Sequence, residues 1–113
     1  QRLTKHLIDR QARSLTLARI AAEAKGKVEV SAAASILKNS ATNVSQTRAD
    51  LTLEIMGDQG LGWEGDTFDA KELETVRAWL YGMASSIAGG SFEVQYNIIS
   101  KNILGLPETT QQG

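Results

Sequence analysis

The sequence predicts an all-α fold, an antiparallel up-down four-helix bundle. Four stretches repeat apolar residues at three- and four-residue steps, the spacing of one helix face. Capping residues or glycines bound these stretches, and the connections between them are short. Short connections place consecutive helices antiparallel. The 113 residues have room for one core, so residues 1–113 are read as one domain, with 108–113 a frayed polar tail.

The first helix covers about 1–25. Leu3, Leu7, Ile8, Ala12, Leu15, Ala18 and Ala22 form its apolar stripe, the face expected to meet the core. Arg2, His6, Arg10 and Arg13 share another face, read as solvated, against the alternative of an anion or partner contact. Gly26 is its expected C-cap. Ser31 is placed to cap a second helix over about 32–56, with Leu37, Ala41, Val44, Leu51 and Ile55 facing inward. Residues 57–69 read as a glycine-rich loop. Asp69 then caps a third helix, with Glu72 and Glu74 where the helix dipole favours acids. Leu73, Val76, Leu80, Ala84 and Ile87 make its stripe. Ser91 caps the last helix, about 92–104, striped by Phe92, Tyr96, Ile99 and Ile103 and stopped by Gly105 before Pro107. The chain opens on Gln1-Arg2-Leu3, with no Met and no cap before the helical pattern, as a segment of a longer protein would.

Composition narrows the chemistry. There is no cysteine, hence no disulfide framework, thiolate metal site or cysteine nucleophile. One histidine, His6, cannot build a histidine-rich metal site, and no metal is expected. The net charge of −1 offers no global basic field for nucleic acid. No apolar run reaches 18 residues, so no membrane span is expected, and no signal segment opens the chain. The expectation is a soluble, cytoplasmic domain. Charge is uneven: residues 1–50 hold nine Lys/Arg and four Asp/Glu, and residues 51–113 hold three and nine. Mixed surface charge is the plainer account of this asymmetry, and attraction between the halves the sharper one.

Gly60-Leu61-Gly62-Trp63-Glu64-Gly65 matches the dinucleotide pattern G-x-G-x-x-G. That pattern needs a strand before it and a helix on its third glycine. Here a helical run precedes it and the next helix opens near residue 70, so it reads as a helix connection. The acids from Glu54 to Glu74 fit neither a calcium loop nor Glu-x-x-His, and read as loop and capping residues. His6 stands without a nucleophile elbow, so Ser-His-Asp catalysis fails.

The run from Ile87 to Pro107, IAGGSFEVQYNIISKNILGLP, carries more. It resembles the C-terminal signature of the acyl-CoA dehydrogenases, I-x-G-G-T-S-E-I-Q-R-N-I-I-A-x-x-x-L-G-L-P. Ile87, Gly89, Gly90, Glu93, Gln95, Asn97, Ile98, Ile99 and Leu104 to Pro107 match, with Ser91 for Thr and Val94 for Ile. Upstream, Ile55-Met56-Gly57-Asp58-Gln59-Gly60 is similar to the family's Q-I-x-G-G-x-G helix end.

The resemblance implies most of the C-terminal bundle of a larger flavoenzyme, incomplete at its N-terminal end. The bundle's first helix and the R-x-x-F-G segment would precede Gln1. It implies α,β-dehydrogenation of an acyl-CoA thioester, with flavin adenine dinucleotide (FAD) as hydride acceptor and a glutamate as base. Lipid degradation and assembly as a homotetramer, or as a heterotetramer with another dehydrogenase subunit, follow from the same resemblance. Many members carry the base where this chain has Gly89, and glycine cannot act as one. No catalytic residue is therefore expected within these 113 residues. By the same resemblance, Glu54, Gly57, Asp58, Ser91 and Glu93 would meet a cofactor across a subunit boundary. Glu54 and Asp58 depart from the family's Gln and Gly, and acids repel a pyrophosphate. Tyr96 replaces a frequent Arg. These departures motivate the alternative of a non-catalytic partner subunit in a heteromeric dehydrogenase.

Overall fold

The structure, a computed structural model, describes residues 1–25 and 33–107. It is all-helical, with no strand among the described residues, and has the four expected helices. They are α1 (Arg2–Lys25), α2 (Ala33–Met56), α3 (Ala70–Gly82) and α4 (Phe92–Asn102). Short 3₁₀ turns, Gly57–Leu61 and Met83–Ser86, follow α2 and α3. The expected caps Gly26 and Ser31, and the tail 108–113, lie outside the described residues.

Helix α2 is the hub, packing against α1, α3 and α4. Its pairing with α1 is antiparallel: Arg2 Nη1 reaches Glu54 Oε2 at 2.6 Å near one end, while Thr16 shares a cavity with Ile36 near the other. Its pairing with α3 is antiparallel too. Trp79 Nε1 donates to Asp50 Oδ1 at 2.7 Å, and Thr42 Oγ1 donates to the Ser85 carbonyl at 3.3 Å.

Local signals set the boundaries. Gly57, at φ +59°, ends α2 in the left-handed conformation. Asp69 and Glu72 form a reciprocal capping box: Glu72 N–H donates to Asp69 Oδ1 at 2.8 Å and Asp69 N–H to Glu72 Oε2 at 2.9 Å. Gly105, at φ +62°, turns the chain after α4, and Leu106 N–H bonds the Ser100 carbonyl at 3.0 Å.

Two sequence expectations are corrected. The third helix was expected to run on through Ala84 to Ile87, but its α-geometry ends at Gly82. Gln46 of α2 donates from Nε2 to the Gly82 carbonyl and to the Ser85 and Ser86 hydroxyls, which holds the end as a tight 3₁₀ turn. The second correction concerns α1. Its basic face is turned partly inward: His6 is buried and Arg13 half-buried, while Arg2 and Arg10 are exposed. Its apolar stripe is turned outward, with Leu3, Leu7, Ile8 and Leu15 exposed by 53, 46, 62 and 61%. The physical reason lies in α2, whose buried facing positions include Ser35, Asn39 and Thr42. A polar middle on α2 selects the polar side of α1.

Among the described residues the buried hydrophobic side chains are Leu51 and Val76, and buried polar ones outnumber them: His6, Ser35, Asn39, Thr42 and Gln95. The radius of gyration, 18.4 Å, exceeds the roughly 13 Å of a compact chain this long. The helices thus form an open bundle with broad uncovered faces.

Candidate functional site

The signature run builds one end of the site. Gly89 and Gly90 take φ of +73° and +96°, reversing the chain between the 3₁₀ turn and α4. Ser91 then caps α4, its Oγ accepting from Val94 N–H at 3.4 Å. Gln95, buried one turn in, donates from Nε2 to the Gly89 carbonyl at 2.9 Å. That amide pins the turn, and a Cβ at Gly90 would lie 2.8 Å from it. Glu93 is exposed in the first turn. Its own backbone N–H, then the Ser91 hydroxyl, then the charge of Lys38 hold its carboxyl below the usual range. Lys38, on α2, sits 5.2 Å from the centre of the Phe92 ring.

The other end lies at the C-terminus of α2. Glu54 is tied to Arg2, and Asp58 is exposed in the following turn. Gly57 has open space where a Cβ would stand. Gly60 is buried against α2, and a Cβ there would lie 2.8 Å from the Leu53 carbonyl oxygen. At Gly62 the Phe68 ring fills the side-chain space. Gly60 and Gly62 thus serve close packing of a helix connection, and Gly65, at φ +109° with open space around it, serves the turn.

The expected cofactor residues therefore fall into two groups. Ser91 and Glu93 sit near the level of Lys38, and Glu54, Gly57 and Asp58 sit in the last turn of α2 and just after it. Lys38 and Glu54 are sixteen residues apart on one helix, about 24 Å along its axis. One compact ligand cannot touch both groups.

The donor set can be tested against a dinucleotide's diphosphate. At the far end, the carboxylates of Glu54 and Asp58 stand beside the negative pole of α2. At α4, the positive pole already faces Glu93, which also engages the Ser91 hydroxyl. Arg2 at the α2 end is taken up by Glu54. Lys38 at the α4 end lies over the Phe92 ring with its Nζ unpaired, and acts on the Glu93 carboxyl. None of the five expected residues is itself cationic, so by themselves they are a poor match for a diphosphate. Gly89 has no side chain to accept a proton.

Three residues carry more of the architecture than the sequence reading assigned them. Gln95 stands in the signature, and its four-residue step from Ser91 was the available signal. Lys38 and His6 had none, because their roles depend on which helices meet. His6 lines a cavity of about 580 Å³ between α1, α2 and α4, with Asn39 and Tyr96. None of the expected cofactor residues lines that cavity. Among the described residues no cluster of three His, Asp or Glu side chains could hold a metal, and no helix is long and apolar enough to cross a membrane.

Four helices around a polar-cored hub, with a double-glycine turn into a Ser-capped last helix, define a helical-bundle domain. The chain belongs to the acyl-CoA dehydrogenase family: the family described as "Acyl-CoA dehydrogenase, C-terminal domain" matches residues 1–104. It is similar to Acyl-CoA dehydrogenase IpdE1 of Mycolicibacterium smegmatis (strain ATCC 700084 / mc(2)155), 40% identical over 58 residues, or 51% of this chain and 14% of that protein. It is also similar to Acyl-CoA dehydrogenase IpdE1 of Mycobacterium tuberculosis (strain ATCC 25618 / H37Rv), 35% identical over 65 residues, or 58% of this chain and 16% of that protein. The matched stretches thus span about a sixth of these relatives or less. No solved structure gives a significant match.

Proposed function

We propose that this chain is the C-terminal bundle of an FAD-dependent acyl-CoA dehydrogenase that desaturates an acyl-CoA thioester between its α and β carbons. The observation that carries this reading is the run Ile87–Pro107. Its glycines take the left-handed turn, its Ser and Gln hold that turn, and Gly105 closes the helix. Bound FAD would supply hydride acceptance. The chain's own residues shape and support the site: Gly57 and Ser91 offer backbone and hydroxyl contacts to a cofactor whose phosphates are held elsewhere in the assembly. Glu54 stays in its ion pair with Arg2. The exposed apolar face of α1 serves packing between subunits of a homomeric or heteromeric tetramer.

A second reading is favoured by Gly89, Glu54 and Asp58. The chain would then belong to a non-catalytic subunit of a heteromeric acyl-CoA dehydrogenase, whose partner carries base and cofactor. One experiment separates the two. The visible absorption spectrum of the full-length protein is recorded alone and after co-expression with its genomic neighbours, with acyl-CoA turnover measured in each case. A flavin spectrum and turnover in the protein alone support the first reading. A colourless protein that becomes yellow and active only with a partner supports the second. No flavin and no turnover in either preparation overturns both.

A further inference from the structure

We propose that the basic face of α1 and the adjoining face of α2 form a binding site for a phosphate group. A pocket of about 450 Å³ lies between these helices. It is lined by three arginines, Arg10 and Arg13 from α1 and Arg48 from α2, and by Thr42, Ser45 and Ser85, of which Thr42 donates its hydroxyl to the Ser85 carbonyl. No carboxylate lines it. The ion pairs of α1 and α2 among the described residues leave all three arginines out: they join Arg2 to Glu54, Lys5 to Asp9 and Arg19 to Glu23. Three guanidinium groups around one pocket repel each other, and an anion between them reverses that sign.

A second observation points the same way. His6 also lines the pocket and is only 6% exposed, yet its Nδ1 has no hydrogen-bond partner among the described residues. The Arg13 Nε is buried without a partner as well. Buried polar atoms are normally satisfied, so unpaired ones on residues that line a cationic pocket point to an acceptor between them. The acceptor that suits planar guanidinium forks is a tetrahedral oxyanion with several oxygens. A carboxylate offers two oxygens to this set, and a phosphate offers three or four. The chemistry of the pocket is common to a free phosphate and to one carried by a nucleotide. This site is separate from residues 54–58 and 91–93, none of which lines it, and it does not depend on the dehydrogenase reading.

The test uses the full-length protein and isothermal titration calorimetry with inorganic pyrophosphate and with ADP. Binding of both at similar affinity marks a site that reads the phosphates alone. Tighter binding of ADP marks a nucleotide as the natural source. Arg10→Gln and Arg48→Gln, both at exposed positions, should each weaken binding about tenfold. Arg19→Gln, an arginine of α1 outside the pocket, should leave it unchanged. A measurement free of variants accompanies these: pyrophosphate should protect Arg10 and Arg48 of the unaltered protein from phenylglyoxal, and leave Arg19 reactive. Absence of binding by both ligands overturns the proposal. So does binding that persists in the Arg10 and Arg48 variants, or protection that ignores these two arginines.

Discussion

Gly60 and Gly57 lie three residues apart and are glycine for different reasons. At Gly60 an added methyl would lie 2.8 Å from the Leu53 carbonyl, so the connection would have to move off α2. Gly60→Ala should therefore cost about 1–3 kcal/mol in urea unfolding of the full-length protein. At Gly57 there is space, and the cost comes from φ +59° alone, so Gly57→Ala should cost about 1 kcal/mol. Ser91 supports a prediction with a pH signature. Ser91→Ala removes the cap of α4, at about 1 kcal/mol, and removes a hydrogen bond that lowers the Glu93 carboxyl. A carboxyl that titrates lower in the folded chain than in the unfolded chain binds fewer protons when folded. Its stabilising contribution is thus present above the unfolded carboxylate range and is lost as pH falls through the folded value. Titration of Glu93 followed by NMR should move upward in Ser91→Ala, and the loss of stability on acidification should shrink. Asp69, Ser91 and Gly105 were legible in the sequence because caps and stop glycines act within one turn. The partners of Gln95 and Lys38 were not, because they depend on tertiary packing.

For whole helices, periodicity identified all four but not the orientation of each. A stripe of apolar residues shows that some apolar environment will receive it, without saying whether that environment lies in the same chain. In α1 the stripe faces out, because α2 presents Asn39 and Thr42 to it and His6 and Arg13 are the better match. The pairing of α2 with α3 is where a single contact can be weighed. Trp79 Nε1 and Asp50 Oδ1 form a part-buried, charge-assisted bond of 2.7 Å. Asp50→Ala leaves the indole N–H without its acceptor and should cost about 1–3 kcal/mol. Trp79→Phe alone is a reference for lost packing. The double variant should be less destabilised than the two singles added together, which thermal or urea unfolding of the set would register. Gln46 shows why the end of α3 was misread: the residue that tightens it lies 36 positions earlier.

As a whole, the molecule exposes 8646 Å², against about 6,100 Å² for a compact protein of 12.2 kDa. The difference is larger than one partner's share of a standard protein–protein interface, about 800 Å². Much of what is exposed is apolar, and on α1 it is contiguous along Leu3, Leu7, Ile8 and Leu15. Apolar faces of that extent are covered in working proteins. Because these side chains do not fill the chain's own core, changing them tests association without testing the fold. Leu7→Glu and Leu15→Glu should leave the far-UV circular dichroism of the full-length protein unaltered. Each should lower its oligomeric mass in light scattering, since burying a leucine is worth roughly 1.5–3 kcal/mol and burying an unpaired carboxylate costs more. The loss is repeated in every copy of the interface, so the double variant should be resolved into smaller species at micromolar concentration. A mass that stays at the wild-type value in the double variant would place the α1 face in solvent. It would also remove packing between subunits from the account of what this bundle does.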